Sequence, residues 1–132
     1  MRNFFLVLML CGLQGCATSG AMPENVSYAP HVITPDQKTT IEATIRRQLI
    51  DPDSAKFEDL VARKVISPNG IGYQVCGHVN SKNRFGGYVG RTPFAGAFSP
   101  GQPDKFIVNA GPDQQFAGAT YYACSGLGLN LS

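Results

Sequence analysis

The chain has 132 residues, a formal net charge of +2, 43% hydrophobic residues and only 15% charged ones. That length holds one small domain. Cations and anions are interspersed with no block of either sign, which excludes the electrostatic footprint of a nucleic-acid binder.

The first residues read as a targeting segment. Arg2 supplies a basic start, and an apolar stretch follows from Phe4 to Leu13. About ten apolar residues are too few to span a bilayer, which takes ~20 in a helix. A basic start, a short apolar run and then small residues make a removable secretory signal. The run closes as Leu13-Gln14-Gly15-Cys16. This resembles the lipobox of bacterial lipoproteins, in which cleavage precedes the cysteine and its thiol carries a diacylglycerol. The resemblance implies a signal peptide over 1–15, lipidation at Cys16 and a membrane-tethered product. Cys11 fits less well, because bulky Leu10 precedes it where cleavage needs a small residue. Acyl chains hold a protein at a membrane by about 0.8 kcal/mol per buried methylene, and two or more chains are needed for stable anchoring. Ala17 stands where an Asp commonly favours inner-membrane retention in Gram-negative lipoproteins, so the expected location is the outer membrane, facing the periplasm.

Residues 16–32 are small, polar and dotted with proline, the composition of a flexible tether. The domain is expected over 33–132. His31, placed in the tether by this reading, is expected to be solvated. Thr34-Pro35-Asp36-Gln37 then opens a helix: Thr34 caps, Pro35 suits the first helical position, and Gln37 completes a capping box. Ile41, Ile45 and Leu49 recur on one face, predicting a helix over 35–49. Asp51-Pro52 ends it, since the residue before proline is pushed out of helical geometry. Residues 51–57 (DPDSAKF) read as a turn or short helical turn, capped by Asp51 or Asp53, with Phe57 dropping into the core.

From Leu60 onward the pattern is that of strands. Residues 60–66 and 71–79 flank Ser67-Pro68-Asn69-Gly70, a strong turn signal, and predict a hairpin. Alternation puts Tyr73, Val75, Gly77 and Val79 on one face, with Cys76 and His78 on the other. Residues 86–98 read as an irregular, glycine-rich strand in which the glycines mark bends or close approaches and Pro93 marks an edge or a break. A loop over 99–104 and a last strand over 105–109 follow. The expected fold is α+β, one N-terminal helix packed on an antiparallel meander of three or four strands. Cys76 and Cys124 remain after the signal and the lipid have claimed the other two cysteines. In an oxidising compartment they are expected to form one disulfide.

Two separated runs have a familiar look: Asp51-Pro52-Asp53-Ser54-Ala55-Lys56-Phe57, and then Val75-Cys76-Gly77-His78-Val79-Asn80-Ser81-Lys82-Asn83-Arg84-Phe85-Gly86-Gly87-Tyr88-Val89-Gly90 with Pro93-Phe94. In that order they resemble a group of small bacterial secreted proteins and lipoproteins without an established activity. The resemblance covers about 41–94 and implies a defined domain. His78 stands where that group more often has an acidic residue, which argues against a shared catalytic histidine.

Catalytic chemistry is thinly supported. His78 needs a nucleophile or carboxylate beside it, and a disulfide at Cys76 would consume the nearest thiol. Asp51, Asp53, Glu58 and Asp59 form an acidic cluster, but turn formation accounts for the first two. Neither EF-hand spacing nor a phosphate loop is present, and no cofactor or metal is expected. The best candidate surface is Lys82, Asn83, Arg84, Phe85, Tyr88 and Arg91, which mixes cations, an amide and aromatic rings as binding surfaces do. The competing view is that Phe85 and Tyr88 are core residues within a solvated loop, and composition alone leans that way. The expected partners are the membrane, through Cys16, and an envelope protein. Peptidoglycan or another envelope glycan is the alternative.

Overall fold

A computed structural model of the protein describes residues 25–112 and 124–125. Cys16, the expected signal segment over 1–15 and most of the expected tether lie outside the described residues. The order is β1 (Ser27–His31), α1 (Pro35–Arg46), a short 3-10 turn (Pro52–Ser54), β2 (Lys56–Ser67), β3 (Gly70–Asn80), β4 (Thr92–Phe98) and β5 (Phe106–Ala110). The five strands form one antiparallel sheet in the order β1-β2-β3-β4-β5. The class is α+β, with a sheet of five strands in place of the expected three or four.

The extra strand is β1, which lies inside the stretch that composition assigns to the tether. It pairs from Ser27↔Ile66 to His31↔Ala62. As an edge strand it tolerates Pro30, whose missing N–H breaks no ladder. Its residues are half-buried at most, so no apolar alternation announces it. His31 is therefore not a solvated tether residue. It stacks on Tyr73 with ring centroids 4.2 Å apart, and its Nε2 lies 2.8 Å from Gln37 Oε1.

Helix α1 starts as its sequence dictates. Thr34 Oγ1 accepts from Gln37 N, and Gln37 Oε1 accepts from Thr34 N, closing the capping box. The helix ends at Arg46, three residues short of the expected limit. Gln48 N and Leu49 N then bond back to Ile45 O and Arg46 O in a tighter turn, which still sets Leu49 against the core. Ile41 and Ile45 are fully buried against Val75, Val79, Phe94 and Phe98 of the sheet. The expected alternation of β3 holds: Val75 and Val79 face this core, while Cys76 joins Ala95 and Cys124 in a second cluster on the opposite face. The Cys76–Cys124 disulfide is formed there.

Two irregularities shape the sheet. Register shifts between Glu58↔His78 and Val61↔Cys76, so Asp59 and Leu60 together oppose Gly77. That is a β-bulge, and Asp59 takes φ 52° to make it, a conformation that Asp tolerates better than most residues. Gly96 of β4 has Phe106 packed onto it so closely that a Cβ would stand 2.3 Å from Phe106 Cζ. β4 is shorter than the expected 86–98 run, because the first glycines belong to a loop. Pro93 lies near its start, where β4 has only β3 beside it; β5 pairs from Ala95 onward.

Candidate functional site

The β3–β4 connection, 81–91, is a small projecting loop and not a strand. A bridge between Lys82 and Tyr88 and the bond from Val89 N to Ser81 O close its neck. Its tip is organised by Asn83. The Asn83 carboxamide oxygen accepts from Phe85 N at 2.9 Å and from Gly87 N at 3.2 Å. The backbone adds Asn83 N to Gly87 O and Gly86 N to Asn83 O. Gly86 takes φ 79° there, a value that glycine reaches without steric cost. These bonds hold Phe85 outward at 96% exposure, the most exposed large apolar side chain among the described residues. Tyr88 is also at the surface. The lean toward core aromatics is therefore overturned, since both rings lie on a loop that projects from the sheet and not over its core.

The sequence runs 51–57 and 75–94 meet at this loop. Lys82 N donates to Ser54 Oγ at 2.8 Å, and the Tyr88 hydroxyl donates to Ser54 O at 3.2 Å. Ser54 is held in turn by its hydroxyl on Asp51 O at 2.8 Å. Asp51 makes no side-chain cap of the 3-10 turn, so its contribution is this carbonyl and not the expected carboxylate. Phe57 reaches the core from inside β2 and not from the end of a turn; its ring lies edge-on to Phe94. Around the loop base, Lys56 Nζ lies 4.5 Å and Lys82 Nζ 5.5 Å from the centroid of the Tyr88 ring, a cation–π arrangement.

The outgoing limb is fixed by charge. The bulge turns Glu58 and Asp59 onto the same face as His78. Arg91 reaches over both acids, with Nε 2.8 Å from Glu58 Oε2 and Nη2 on Asp59 Oδ2. His78 Nδ1 lies 3.2 Å from Asp59 Oδ2 and 3.2 Å from Arg91 Nη2. It can donate to the first or accept from the second, not both at once. Burial lowers the His78 pKa below its ordinary 6.5, and the charge of Glu58 works against that shift. A carboxylate-paired histidine is a familiar general base, but this one is 6% exposed and gives a substrate little access. Cys76 is held in the disulfide. Among the described residues no group of three or more His, Cys, Asp or Glu is arranged to hold a metal; here the Arg91 guanidinium balances the two carboxylates.

The structure thus gathers Lys82, Asn83, Arg84, Phe85 and Tyr88 into one projection, with Arg91 at its foot in an internal ion network. It adds Lys56, Ser54, Glu58 and Asp59, which sequence reasoning did not assign to the patch. Lys56 and Ser54 lie in the run 51–57, in and beside the turn that the sequence does announce. An open cleft of about 660 Å³ adjoins the loop, with Leu49, Ile50, Ser81, Asn83 and Val89 among its lining residues. No helix among the described residues is long and apolar enough to cross a membrane. Comparison with family models, curated proteins and solved structures finds no match to this chain.

Proposed function

We propose that this chain is an envelope lipoprotein, anchored through Cys16 in the outer membrane and facing the periplasm. Its α+β domain is a non-catalytic module that binds an envelope protein through the 81–91 loop. Accessory, inhibitory and immunity roles all fit such a module. One observation carries the reading: a phenylalanine ring is presented to solvent by a turn in which Asn83 holds the backbone N–H groups of Phe85 and Gly87. An exposed aromatic ring is costly in water, and a loop already ordered has little entropy left to lose on binding. Aromatic side chains in this setting are the usual anchors of protein interfaces.

The two halves of the proposal are tested separately. Cys16→Ser should abolish incorporation of labelled palmitate and release the protein from the membrane fraction. Chemical cross-linking in the native envelope should give a discrete protein adduct that Phe85→Ala and Arg84→Ala remove while a melting curve stays in place.

The second reading is a module for peptidoglycan or another envelope glycan. It is favoured by the unobstructed Phe85 ring, which could stack on a sugar, beside the open cleft. The Tyr88 ring is a poorer platform, because Lys56 and Lys82 already lie over it. Sedimentation with purified peptidoglycan, lost in Phe85→Ala, would move this reading to first place.

A further inference from the structure

The outgoing limb of the 81–91 loop hangs on side chains. β4 begins at Thr92 with only β3 beside it, and β5 joins from Ala95. Pro93, opposite His78, has no N–H to give to the sheet. Before it, Val89 N donates to Ser81 O at 3.2 Å and Gly90 N to the Asn80 carboxamide oxygen at 3.0 Å. Arg91 then reaches back to Glu58 and Asp59 of β2. That last contact ties the limb to the sheet by charge.

The tie passes through one crowded oxygen. Arg91 Nη2 and His78 Nδ1 both lie against Asp59 Oδ2, and the two nitrogens are 3.2 Å apart. With a neutral ring, Nδ1 accepts from Arg91, and the guanidinium bridges Glu58, Asp59 and His78. A proton on Nδ1 turns that acceptor into a donor. Two cationic N–H groups then face each other and compete for Asp59 Oδ2. The His78 ring is buried, and its backbone is paired to Glu58 on one side and Pro93 on the other. Arg91 is half-exposed on a long side chain, so Arg91 gives way. Among the described residues, the charges facing the ring are Glu58 and Asp59 from β2 and Arg91 from the loop. β4 presents uncharged Pro93. On the same face of β3 stand Cys76, in the disulfide, and Asn80, an amide. Lys56 and Lys82 are drawn over the Tyr88 ring. Asp51 and Asp53 lie by the 3-10 turn that meets the loop at Lys82 and Tyr88, and Glu58 is the charge felt at the ring. Helix α1 packs on the opposite face of the sheet.

We propose that His78 is a proton-operated latch on the 81–91 loop. The neutral ring holds Arg91 against β2 and keeps the limb from Val89 to Arg91 closed. The imidazolium takes Asp59 from Arg91 and frees that limb. The step is transfer of one proton from solvent to Nδ1, and no covalent bond between heavy atoms forms or breaks. Burial keeps the ring neutral, with Glu58 opposing, so the folded pKa lies below 6.5. The latch is therefore closed at neutral pH and opens as pH falls through that lower value. The inference goes beyond the interaction reading: it concerns the order of the loop itself, whatever the loop binds.

The test follows the full chain, purified in detergent, by NMR from about pH 7.5 to about pH 4.5, a range that brackets the ordinary histidine pKa. At the upper end the His78 ring nitrogens should show the tautomer protonated at Nε2, with Nδ1 free to accept. As the ring takes up its proton, intrinsic-rate-corrected amide exchange at Val89 and Gly90 should speed by about tenfold, the worth of one charge-assisted hydrogen bond. Exchange in the β2–β3 hairpin should not follow. His78→Gln, which cannot take up the proton, should abolish the response. Asp59→Asn keeps a residue suited to the left-handed bulge and removes the contested charge; it should move ring titration and limb opening together to lower pH. A ring protonated at Nδ1 at neutral pH overturns the proposal, because it would already be donating to Asp59. So does a ring that titrates while Val89 and Gly90 stay protected, or a limb that opens equally in His78→Gln. A ring that stays neutral until the whole protein unfolds overturns it as well. All of these are read on the protein alone and leave the interaction reading where its own cross-linking test puts it.

Discussion

One carboxamide shapes the tip of the loop. The Asn83 side chain takes two backbone N–H groups that solvent would otherwise have to satisfy, and Phe85 points outward as a consequence. Each such bond is worth about 1 kcal/mol or less at a surface, so Asn83→Ala should lower the melting temperature by a few degrees at most. It should instead speed amide exchange at Phe85 and Gly87, and Asn83→Asp, which keeps an acceptor oxygen, should restore protection. Equal exchange in all three proteins would mean that the backbone alone holds the turn. His78 acts differently, on stability. Burial holds its folded pKa below 6.5, so as pH falls below about 6.5 the unfolded chain takes up a proton that the folded one refuses. The stability from the neutral ring is complete above that value and drains away as pH drops toward the folded pKa. Urea unfolding across this range should show wild-type stability declining faster than that of His78→Gln. Parallel curves would remove burial as the cause.

Among the elements, the strands and the helix were legible to different degrees for physical reasons. Helix α1 could be read because capping and periodicity are local signals, and Thr34, Gln37, Ile41 and Ile45 take up their expected places. The β2–β3 hairpin was legible from its turn residues and the alternation around Val75. β1 was not, since an exposed edge strand buries too little to pattern its sequence. The loop at 81–91 was hidden by glycines, which serve turns and strands alike. Gly86 is a turn glycine, whereas Gly96 sits in β4 because the Phe106 ring and the Ile107 carbonyl occupy the space of a side chain. Of the site, the residues of the patch could be named in advance, but their exposure and the support from Ser54 depend on contacts across 28 and 34 positions. Gly96→Ala should therefore cost about 1–3 kcal/mol by overpacking, seen as a lower urea midpoint at unchanged slope. Gly86→Ala, with nothing near its Cβ, should leave the core intact and disturb only the loop.

At the scale of the molecule, a sheet covered on one face by a single helix depends on what secures the other face. Only Ile41 and Ile45 of α1 are fully buried, so the helix contributes a narrow apolar stripe. On the opposite face the Cys76–Cys124 disulfide and Ala95 form a small separate cluster, and the bond closes a loop across a separation of 48. Closing a loop of that length is worth about 4 kcal/mol in the chain-entropy account. Small domains have total stabilities of about 5–15 kcal/mol, so this bond is a large share. Cys76→Ala with Cys124→Ala should therefore lower the unfolding free energy by about 4 kcal/mol, measured by urea titration with the intact protein alongside. Reduction of the wild type should produce the same loss, because both treatments free the same unfolded chain. A loss well under this value would place the stability in the helix–sheet core instead. A reduced protein that keeps slow exchange at Phe85 while losing global stability would show that the loop and the disulfide are independent supports.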